Sequence, residues 1–144
     1  MLKAVSIFAF LLMVLAIMWL FYLGALLSHS PFVIAAQVAA VVLMVWARIT
    51  FGRRSFHAVA NPTEGGLITS GPYRFIRHPI YTSACIFCWA GAVGNLSFTS
   101  AISCVLLFIG VLGRMLAEER LLVERYPAYR TYAARTKRML PFIF

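Results

Sequence analysis

The chain has 144 residues, of which 62% are hydrophobic and 12% are charged, and its formal net charge is +9. A water-soluble domain of this size needs more polar surface, so the composition excludes an ordinary soluble protein and indicates an integral membrane protein. The length suits a single domain, residues 1–144. The basic residues flank apolar runs and no nucleic-acid-binding motif is among them, so we expect a membrane surface as partner and no nucleic acid.

Two apolar runs come first in the chain. Ala4 to Leu27 contains 24 residues without a charge, which is enough to cross a hydrocarbon core of ~30 Å with some tilt. Cleavage as a signal peptide is the alternative, because Gly24 to Ser30 weakly resembles a cleavage site, but a retained helix is favoured. The second run, Phe32 to Ala47, contains one polar residue, Gln37, for which we expect an interhelical hydrogen bond.

A polar connection runs from residue 49 to residue 78 and is long for so small a protein. It contains the turn-forming segment Asn61–Gly66 and leads into Gly-Pro-Tyr-Arg-Phe-Ile-Arg-His-Pro-Ile-Tyr at residues 71–81. Proline suits the first turn of a helix, so we expect Tyr73 to His78 to form a polar collar where a helix begins near Pro79. Because a long connection in a compact protein usually builds a site, this one is the first candidate functional region.

Two further apolar runs, Ile80 to Gly94 and Ser97 to Gly113, are separated by a tight break, which predicts an antiparallel helical hairpin. Arg114 to Arg125 is charged and strongly helix-forming, so we expect it to continue the fourth helix out of the membrane. Tyrosines then recur at every third position among basic residues, which favours an amphipathic helix on the lipid headgroups over a catalytic role for them. These tyrosines are Tyr126, Tyr129 and Tyr132.

The placement of charge predicts the topology. With four crossings, all thirteen Lys and Arg residues fall on one side of the membrane, which the positive-inside rule makes cytoplasmic. The predicted fold class is an all-α integral membrane protein with four transmembrane helices, a C-terminal helical hairpin, a cytoplasmic connecting loop and an amphipathic C-terminal helix. Both termini are then cytoplasmic.

The predicted hairpin brings four reactive side chains together, because it folds the start of the third run against the end of the fourth. His78 and Tyr81 should therefore lie near Arg114 and Glu118. Arg114 and Glu118 share a helix face, so a structural ion pair is the alternative to a functional role. The three cysteines lie inside apolar runs and should pack as small hydrophobic groups. We expect no metal site, because no ligand set accompanies them.

Two motifs in the chain are specific in combination. The first is residues 67–81, whose central pattern is R-H-P-x-Y. The second is Arg114-x-x-x-Glu118-Glu119-x-x-Leu122, followed by Tyr126-x-x-Tyr129. Over residues 45–142 the chain resembles the isoprenylcysteine carboxyl methyltransferase family and is similar to the related phospholipid methyltransferases. The resemblance implies an integral-membrane methyltransferase that uses S-adenosylmethionine and lacks the Rossmann-type fold of soluble methyltransferases.

The resemblance also implies roles for individual residues. The cofactor would be held by the connecting loop, by the start of the third membrane helix and by the charged continuation of the fourth. These cofactor-binding residues are Gly65, Gly66, Leu67, Ile68, Tyr73, His78, Pro79, Ile80, Tyr81, Glu118 and Glu119. Arg114 and Glu118 would be the catalytic residues, with the Arg114 guanidinium holding a carboxylate of the methyl acceptor.

The methyl acceptor stays open at this point. A lipophilic carboxylate, either a small molecule or a prenylated protein, is the first candidate because it is nucleophilic without a base. A lipid amine would need a proton removed, for which Glu118 or Glu119 is suited. The chain is shorter than eukaryotic members of the family, which opens the question of a prenylated substrate and fits a prokaryotic inner or plasma membrane.

Two alternatives lie outside methyl transfer. Membrane reductases of sterol-like double bonds, which use NADPH, share a similar C-terminal pattern. A small non-enzymatic scaffold with a basic, lipid-binding face is the other alternative.

Overall fold

The structure, a computed structural model, describes residues 2–52, 66–141 and 143–144. Within these ranges it has five α-helices, one short 3-10 helix and no β-sheet beyond a single backbone bridge. The helices are α1 (Leu2–Tyr22), α2 (Pro31–Phe51), α3 (Pro79–Gly94), α4 (Phe98–Arg125) and α5 (Tyr129–Arg135), and the 3-10 helix is Gly71–Arg74. The all-α prediction is confirmed. Much of the long connection, including Gly65, lies outside the described residues, as does Phe142.

Three of these helices, α1, α2 and α4, are long and apolar enough to cross a membrane. Their most apolar segments have mean hydropathies of 2.7, 2.1 and 2.0. Helix α3 is also apolar but has only 16 residues, fewer than a full crossing usually needs. By helix length and composition the chain is a membrane protein. Four crossings, and the cytoplasmic position of the loop and termini, stay predictions.

The ends of α1 and α2 differ by a few residues from the expected bounds, and glycine explains both. After α1 the chain turns at Gly24, with φ 65°, and the Ala25 N–H donates to the Leu20 carbonyl over 2.9 Å. This left-handed glycine closes the helix five residues before Leu27. Helix α2 continues beyond Ala47 until Gly52, whose φ is 68°.

Helix α4 continues without a break from the apolar run into the charged segment, as expected. Its start is fixed by a capping box, in which the Ser97 hydroxyl accepts from the Ser100 N–H over 3.1 Å. Its end is at Arg125, directly before Tyr126-Pro127. Because one continuous helix joins the apolar run to the charged segment, the polar residues near its end are held on the same element as the apolar core.

The helices pack mainly as two pairs. Helix α4 lies along α1 and helix α3 lies along α2, whereas α3 and α4 contact each other much less. Small residues allow these close approaches: a Cβ on Gly110 of α4 would lie 2.8 Å from the Ala9 carbonyl oxygen of α1. The expected C-terminal hairpin is therefore not the main packing unit, although α3 and α4 do meet at one end.

Two expectations about interior side chains agree with the packing. Gln37 is buried, and its Nε2 donates to the carbonyls of Leu26 and Phe87 over 2.6 and 3.3 Å. This amide therefore joins α2 to the chain before it and to α3. Cys85 and Cys88 belong to the buried apolar cluster and carry free thiols.

Candidate functional site

The segment before α3 is shaped by two prolines and a glycine. Pro72 lies in the first turn of the 3-10 helix, and Pro79 lies in the first turn of α3 with His78 as the preceding cap residue. Gly71 has φ 57°, and a Cβ there would lie 2.5 Å from the Thr50 hydroxyl at the end of α2. This close approach, which only glycine permits, lets the segment pack against the end of α2.

Tyr81, Arg114 and Glu118 form the first part of a polar cluster between α3 and α4. The Tyr81 hydroxyl donates to Glu118 Oε1 over 2.6 Å and accepts from Arg114 Nε over 2.6 Å. Arg114 Nε also lies 3.2 Å from Glu118 Oε1. Arg114 is 5% exposed, whereas the Glu118 side chain is 24% exposed. Glu118 is therefore the accessible carboxylate of this trio, and the arginine beneath it is nearly enclosed.

His78 and Glu119 form the second part of the cluster. The buried His78 ring has Nε2 3.3 Å from Glu119 Oε1 and Nδ1 3.9 Å from Glu118 Oε2. Glu119 also accepts from Arg77 Nε at Oε1 over 2.9 Å and from Arg138 Nε at Oε2 over 3.1 Å. Two carboxylates next to each other on α4 thus face one histidine, with arginines on their outer sides.

The four side chains whose convergence we expected do lie together. His78, Tyr81, Arg114 and Glu118 are connected through the distances above, with Glu119 beside them. The agreement is geometric, and the roles of these residues in binding or catalysis stay predictions.

The chain from α5 onward, here called the C-terminal segment, pairs its backbone with the residues just before α3. The Arg77 N–H donates to the Lys137 carbonyl over 2.8 Å, and the His78 N–H donates to the Arg138 carbonyl over 2.9 Å. The Arg77 guanidinium adds hydrogen bonds to the carbonyls of Ala133 and Thr136. Residues 133–138 therefore help to hold Arg77 and His78 in place.

The tyrosines of α5 pack inward, which differs from the expected aromatic edge on the lipid headgroups. Tyr129 is 2% exposed. The Tyr132 hydroxyl donates to the Tyr73 carbonyl over 2.6 Å, and burial raises the pKa of Tyr132 to about 12. The rings of the two tyrosines meet edge to face. The seven-residue helix α5 thus packs its tyrosine face on the protein, whereas Arg130 and Arg135 on the same helix are exposed.

Tyr129 has a buried hydroxyl with no hydrogen-bond partner in the described part of the chain. Burial raises the pKa of this hydroxyl, and the negative charge of Glu119 adds to the effect. A buried hydroxyl without a hydrogen bond is costly, and the Glu119 carboxylate beside it is a candidate acceptor, as a ligand or a water molecule would be.

Helix α1 contributes to the cluster although it lies outside the resemblance. Arg114 Nη1 lies 3.5 Å from the hydroxyl of the buried Ser6, and the Arg114 guanidinium carbon lies 5.2 Å from the centre of the Phe10 ring. The sequence gives one signal for this contact, a serine at helical spacing from the small residues of α1 that face α4. Arg114, which itself belongs to α4, is therefore enclosed by side chains of α1 and α3.

The remaining predicted cofactor residues that the structure describes lie in the segment before α3 and in the first turn of α3. Gly66 is exposed with φ 89°, while Leu67 and Ile68 are half-buried. Tyr73 is buried, and its ring lies 5.6 Å from the Phe51 ring. The loop residues offer backbone groups and apolar surface. Pro79 is buried and Ile80 half-buried in the first turn of α3.

Within the part of the chain that the structure describes, no group of three His, Cys, Asp or Glu residues is suitable for a metal ion. An apolar groove lies at the other end of the bundle, near the turn between α1 and α2, and is lined by residues that include Gln37, Val41 and Phe87. This groove is separate from the charged cluster, which lies between the start of α3 and the end of α4.

The sequence that forms this cluster matches a known family. Residues 31–124 match the sequence profile of the isoprenylcysteine carboxyl methyltransferase family, and the matched range contains both polar motifs. The chain is a member of this family. The profile match covers α2, α3 and most of α4, so α1 and the C-terminal segment that enclose the cluster lie outside it.

A curated relative of this family member is methanethiol S-methyltransferase 1 from Bradyrhizobium diazoefficiens. It is 34% identical over 74 residues, which cover 49% of this chain and 24% of the relative. The match therefore spans about a quarter of the relative's length. No solved structure matches the chain.

Proposed function

We propose that the chain is an integral-membrane methyltransferase that uses S-adenosylmethionine and methylates a lipophilic acceptor, with a carboxylate as the first candidate. The observation that carries the proposal is the joining of the R-H-P-x-Y and R-x-x-x-E-E motifs in one cluster, through Tyr81 and Glu118 at 2.6 Å and His78 and Glu119 at 3.3 Å. Family membership supports methyl transfer as the class of reaction.

The donor set of the cluster fits this cofactor. S-adenosylmethionine supplies an electrophilic methyl group on a sulfonium, and it carries an ammonium, a carboxylate and an aromatic base. Glu118 is the accessible carboxylate that would accept from the ammonium, and the unpartnered Tyr129 hydroxyl is a further polar contact. Tyr73 and the segment that includes Leu67 and Ile68 would provide aromatic and apolar surface. Pro79 and Ile80 would complete it at the start of α3.

The chain's own groups would contribute positioning and the exclusion of water. Methyl transfer from a sulfonium is an in-line displacement, so alignment of the two reactants supplies most of the rate. Arg114 is almost enclosed, and a guanidinium in such surroundings holds an anion more strongly than one in water. We assign the acceptor's carboxylate to Arg114, which would have to exchange part of its present contacts with Tyr81 and Glu118 to bind it. The acceptor's apolar part would lie toward the bilayer.

A thiol acceptor is the second candidate, because the curated relative is named a methanethiol S-methyltransferase. A thiol, like an amine, is a weak nucleophile until its proton is removed. Glu118 is the better candidate base, because both oxygens of Glu119 already accept hydrogen bonds from arginines. The three acceptor classes therefore differ in their need for the Glu118 carboxylate.

The proposal is tested by offering matched acceptors to the protein in lipid nanodiscs. A carboxylate, a thiol and an amine with the same alkyl chain are each incubated with methyl-labelled S-adenosylmethionine, and a membrane lipid extract is added as a fourth sample. We expect label in one acceptor class and loss of transfer in Glu118→Ala. The control is Glu124→Ala, an exposed glutamate on the same helix.

Absence of label in every sample, with NADPH binding instead, would support the reductase alternative. The scaffold alternative predicts that His78→Ala and Glu118→Ala keep function, whereas charge reversal among residues 125–138 abolishes it.

A further inference from the structure

We propose that Glu119 is a positioning residue that fixes the proton of His78 on Nε2, so that Nδ1 is left as a hydrogen-bond acceptor beside Glu118. The resemblance placed Glu119 among the residues that touch the cofactor, and the geometry assigns it a different task. The consequence for methyl transfer rests on the function proposed above, whereas the state of the imidazole does not.

Both oxygens of the Glu119 carboxylate are engaged by cationic side chains. Oε1 accepts from Arg77 Nε over 2.9 Å, and Oε2 accepts from Arg138 Nε over 3.1 Å. The Glu119 side chain is 12% exposed, half as much as the neighbouring Glu118. A ligand that bound Glu119 directly would have to displace an arginine, whereas Glu118 is open to one.

These partners decide which ring nitrogen carries the proton in the neutral histidine. Guanidinium groups keep their protons, so a carboxylate held by Arg77 and Arg138 stays ionised and can only accept hydrogen bonds. His78 Nε2 lies 3.3 Å from Glu119 Oε1, and a hydrogen bond there requires the proton on Nε2. His78 Nδ1 lies 3.9 Å from Glu118 Oε2, which is too long for a hydrogen bond. The neutral imidazole therefore presents a lone pair at Nδ1.

The surroundings of the ring hold it in this orientation. The His78 N–H donates to the Arg138 carbonyl over 2.9 Å, and the His78 carbonyl accepts from the Thr82 hydroxyl over 3.1 Å. The Tyr81 ring stacks on the imidazole with 5.7 Å between centres. With the backbone fixed at both ends and one face covered, the contact with Glu119 decides which nitrogen carries the proton.

Glu119 also connects three parts of the fold. Arg77 belongs to the segment before α3, Arg138 to the C-terminal segment, and Glu119 itself to α4. Arg77 additionally donates to the Ala133 carbonyl over 2.8 Å. Loss of the carboxylate charge would therefore loosen the C-terminal segment and release the histidine together. Glu119 acts on a bound ligand through His78.

The direct test is nitrogen NMR of the protein labelled with 15N-histidine, in nanodiscs without cofactor, at a pH where imidazole is neutral. The His78 resonances are assigned by their absence in His78→Gln. We expect the wild type to show the Nε2-protonated tautomer. In Glu119→Gln the amide oxygen should turn to the arginines and the amide NH₂ to His78, so the Nδ1-protonated form should rise severalfold.

Matched variants separate this role from a general effect on the fold. Glu124→Gln removes an exposed carboxylate from the same helix and should leave the tautomer unchanged. Arg138→Gln removes one arginine but keeps the Glu119–His78 contact, and it should keep the Nε2 proton. A wild type with its proton on Nδ1 would overturn the proposal, even if no Glu119 variant folds. An unchanged tautomer in Glu119→Gln would overturn it as well.

A second measurement connects the histidine to the proposed function. Affinity for S-adenosylmethionine should fall by about tenfold in Glu119→Gln, as expected for the loss of one well-placed hydrogen bond to a ligand. Unchanged affinity in a folded Glu119→Gln would contradict the positioning role. If the wild type does not bind the cofactor at all, the proposed function fails, and the tautomer measurement alone decides the present inference.

Discussion

The hydroxyl of Tyr81, in the first turn of α3, donates to Glu118 Oε1 near the end of α4 over 2.6 Å and accepts from Arg114 Nε over 2.6 Å. This hydroxyl is the link between the two polar motifs. Helix α3 contacts α2, and helix α4 contacts α1, more extensively than α3 and α4 contact each other. The hydrogen bonds of Tyr81 therefore have a large part in fixing how the two motifs face each other.

Removal of this hydroxyl tests the link. Tyr81→Phe should lower affinity for S-adenosylmethionine by at least tenfold, because a hydrogen bond to a carboxylate contributes roughly 1.5–3 kcal/mol. Isothermal titration calorimetry in nanodiscs measures the change. The control is Tyr22→Phe at the end of α1, where the side chain is 77% exposed and distant from the cluster. Equal affinity in the Tyr81 variant and the wild type would show that this hydroxyl does not contribute to cofactor binding.

The two ends of the Arg114–Glu118 pair should have different effects. Glu118→Ala should weaken cofactor binding, whereas Arg114→Ala should mainly lower kcat with an acidic acceptor. Because the side chains lie 3.2 Å apart, the double variant should deviate from additivity by ~0.5–3 kcal/mol. Calorimetry and steady-state kinetics on the four proteins measure these quantities. Equal loss of cofactor affinity in both single variants would refute the division of roles.

The close packing of α1 on α4 should be sensitive to one methyl group. A Cβ on Gly110 would lie 2.7 Å from Met13 Cγ and 2.8 Å from the Ala9 carbonyl oxygen. Gly110→Ala should therefore destabilise the fold by about 1–3 kcal/mol and lower the unfolding temperature. Val105→Ala, at an exposed position of the same helix, is the control for a change in α4 alone. A Gly110 variant as stable as the wild type would contradict the described helix contact.

The hydrogen bond from Tyr132 to the Tyr73 carbonyl should hold the C-terminal segment down. Tyr132→Phe should cost about 1 kcal/mol of docking free energy, visible as faster hydrogen exchange in α5. Exchange in α1 serves as the internal control. If α5 exchanges equally in both proteins, the hydrogen bond does not stabilise the docked segment.

The same tyrosine predicts a dependence on pH. Burial raises the pKa of Tyr132 from 10.0 to about 12, so the folded protein keeps the proton that the unfolded chain loses near pH 10. The stability from this group is therefore complete below pH 10 and is lost as the pH rises toward 12. The difference in unfolding temperature between wild type and Tyr132→Phe should shrink across that range. A difference that stays constant from pH 9 to pH 12 would contradict the assignment.

The elements themselves were predictable from local patterns. Apolar run length and proline at helix starts predicted the apolar helices, and the helix-forming residues from Arg114 predicted the unbroken passage of α4 to Arg125. The convergence of His78, Tyr81, Arg114 and Glu118 was predictable as well, because it needs only that α3 and α4 meet at one end. These features depend on short stretches of sequence, which a single chain shows directly.

The partners of the helices were not predictable in the same way. Hydrophobic length does not specify which helix packs on which, so the pairing of α1 with α4 and the contacts of Ser6 and Phe10 with Arg114 were missed. The spacing of the tyrosines is the same whether their side chains face lipid or protein, so the inward packing of Tyr129 was missed too. The contact of Glu119 with Arg138 was not predictable either, because it depends on the path of the chain after α5.

The central claim is that the polar cluster between the start of α3 and the end of α4 binds a sulfonium methyl donor. Calorimetric titration of the wild type and of Glu118→Ala in nanodiscs, with S-adenosylmethionine and with NADPH in parallel, tests it most directly. We predict saturable binding of S-adenosylmethionine by the wild type, binding at least tenfold weaker in Glu118→Ala, and no binding of NADPH. Binding of NADPH by the wild type without any binding of S-adenosylmethionine would contradict the account.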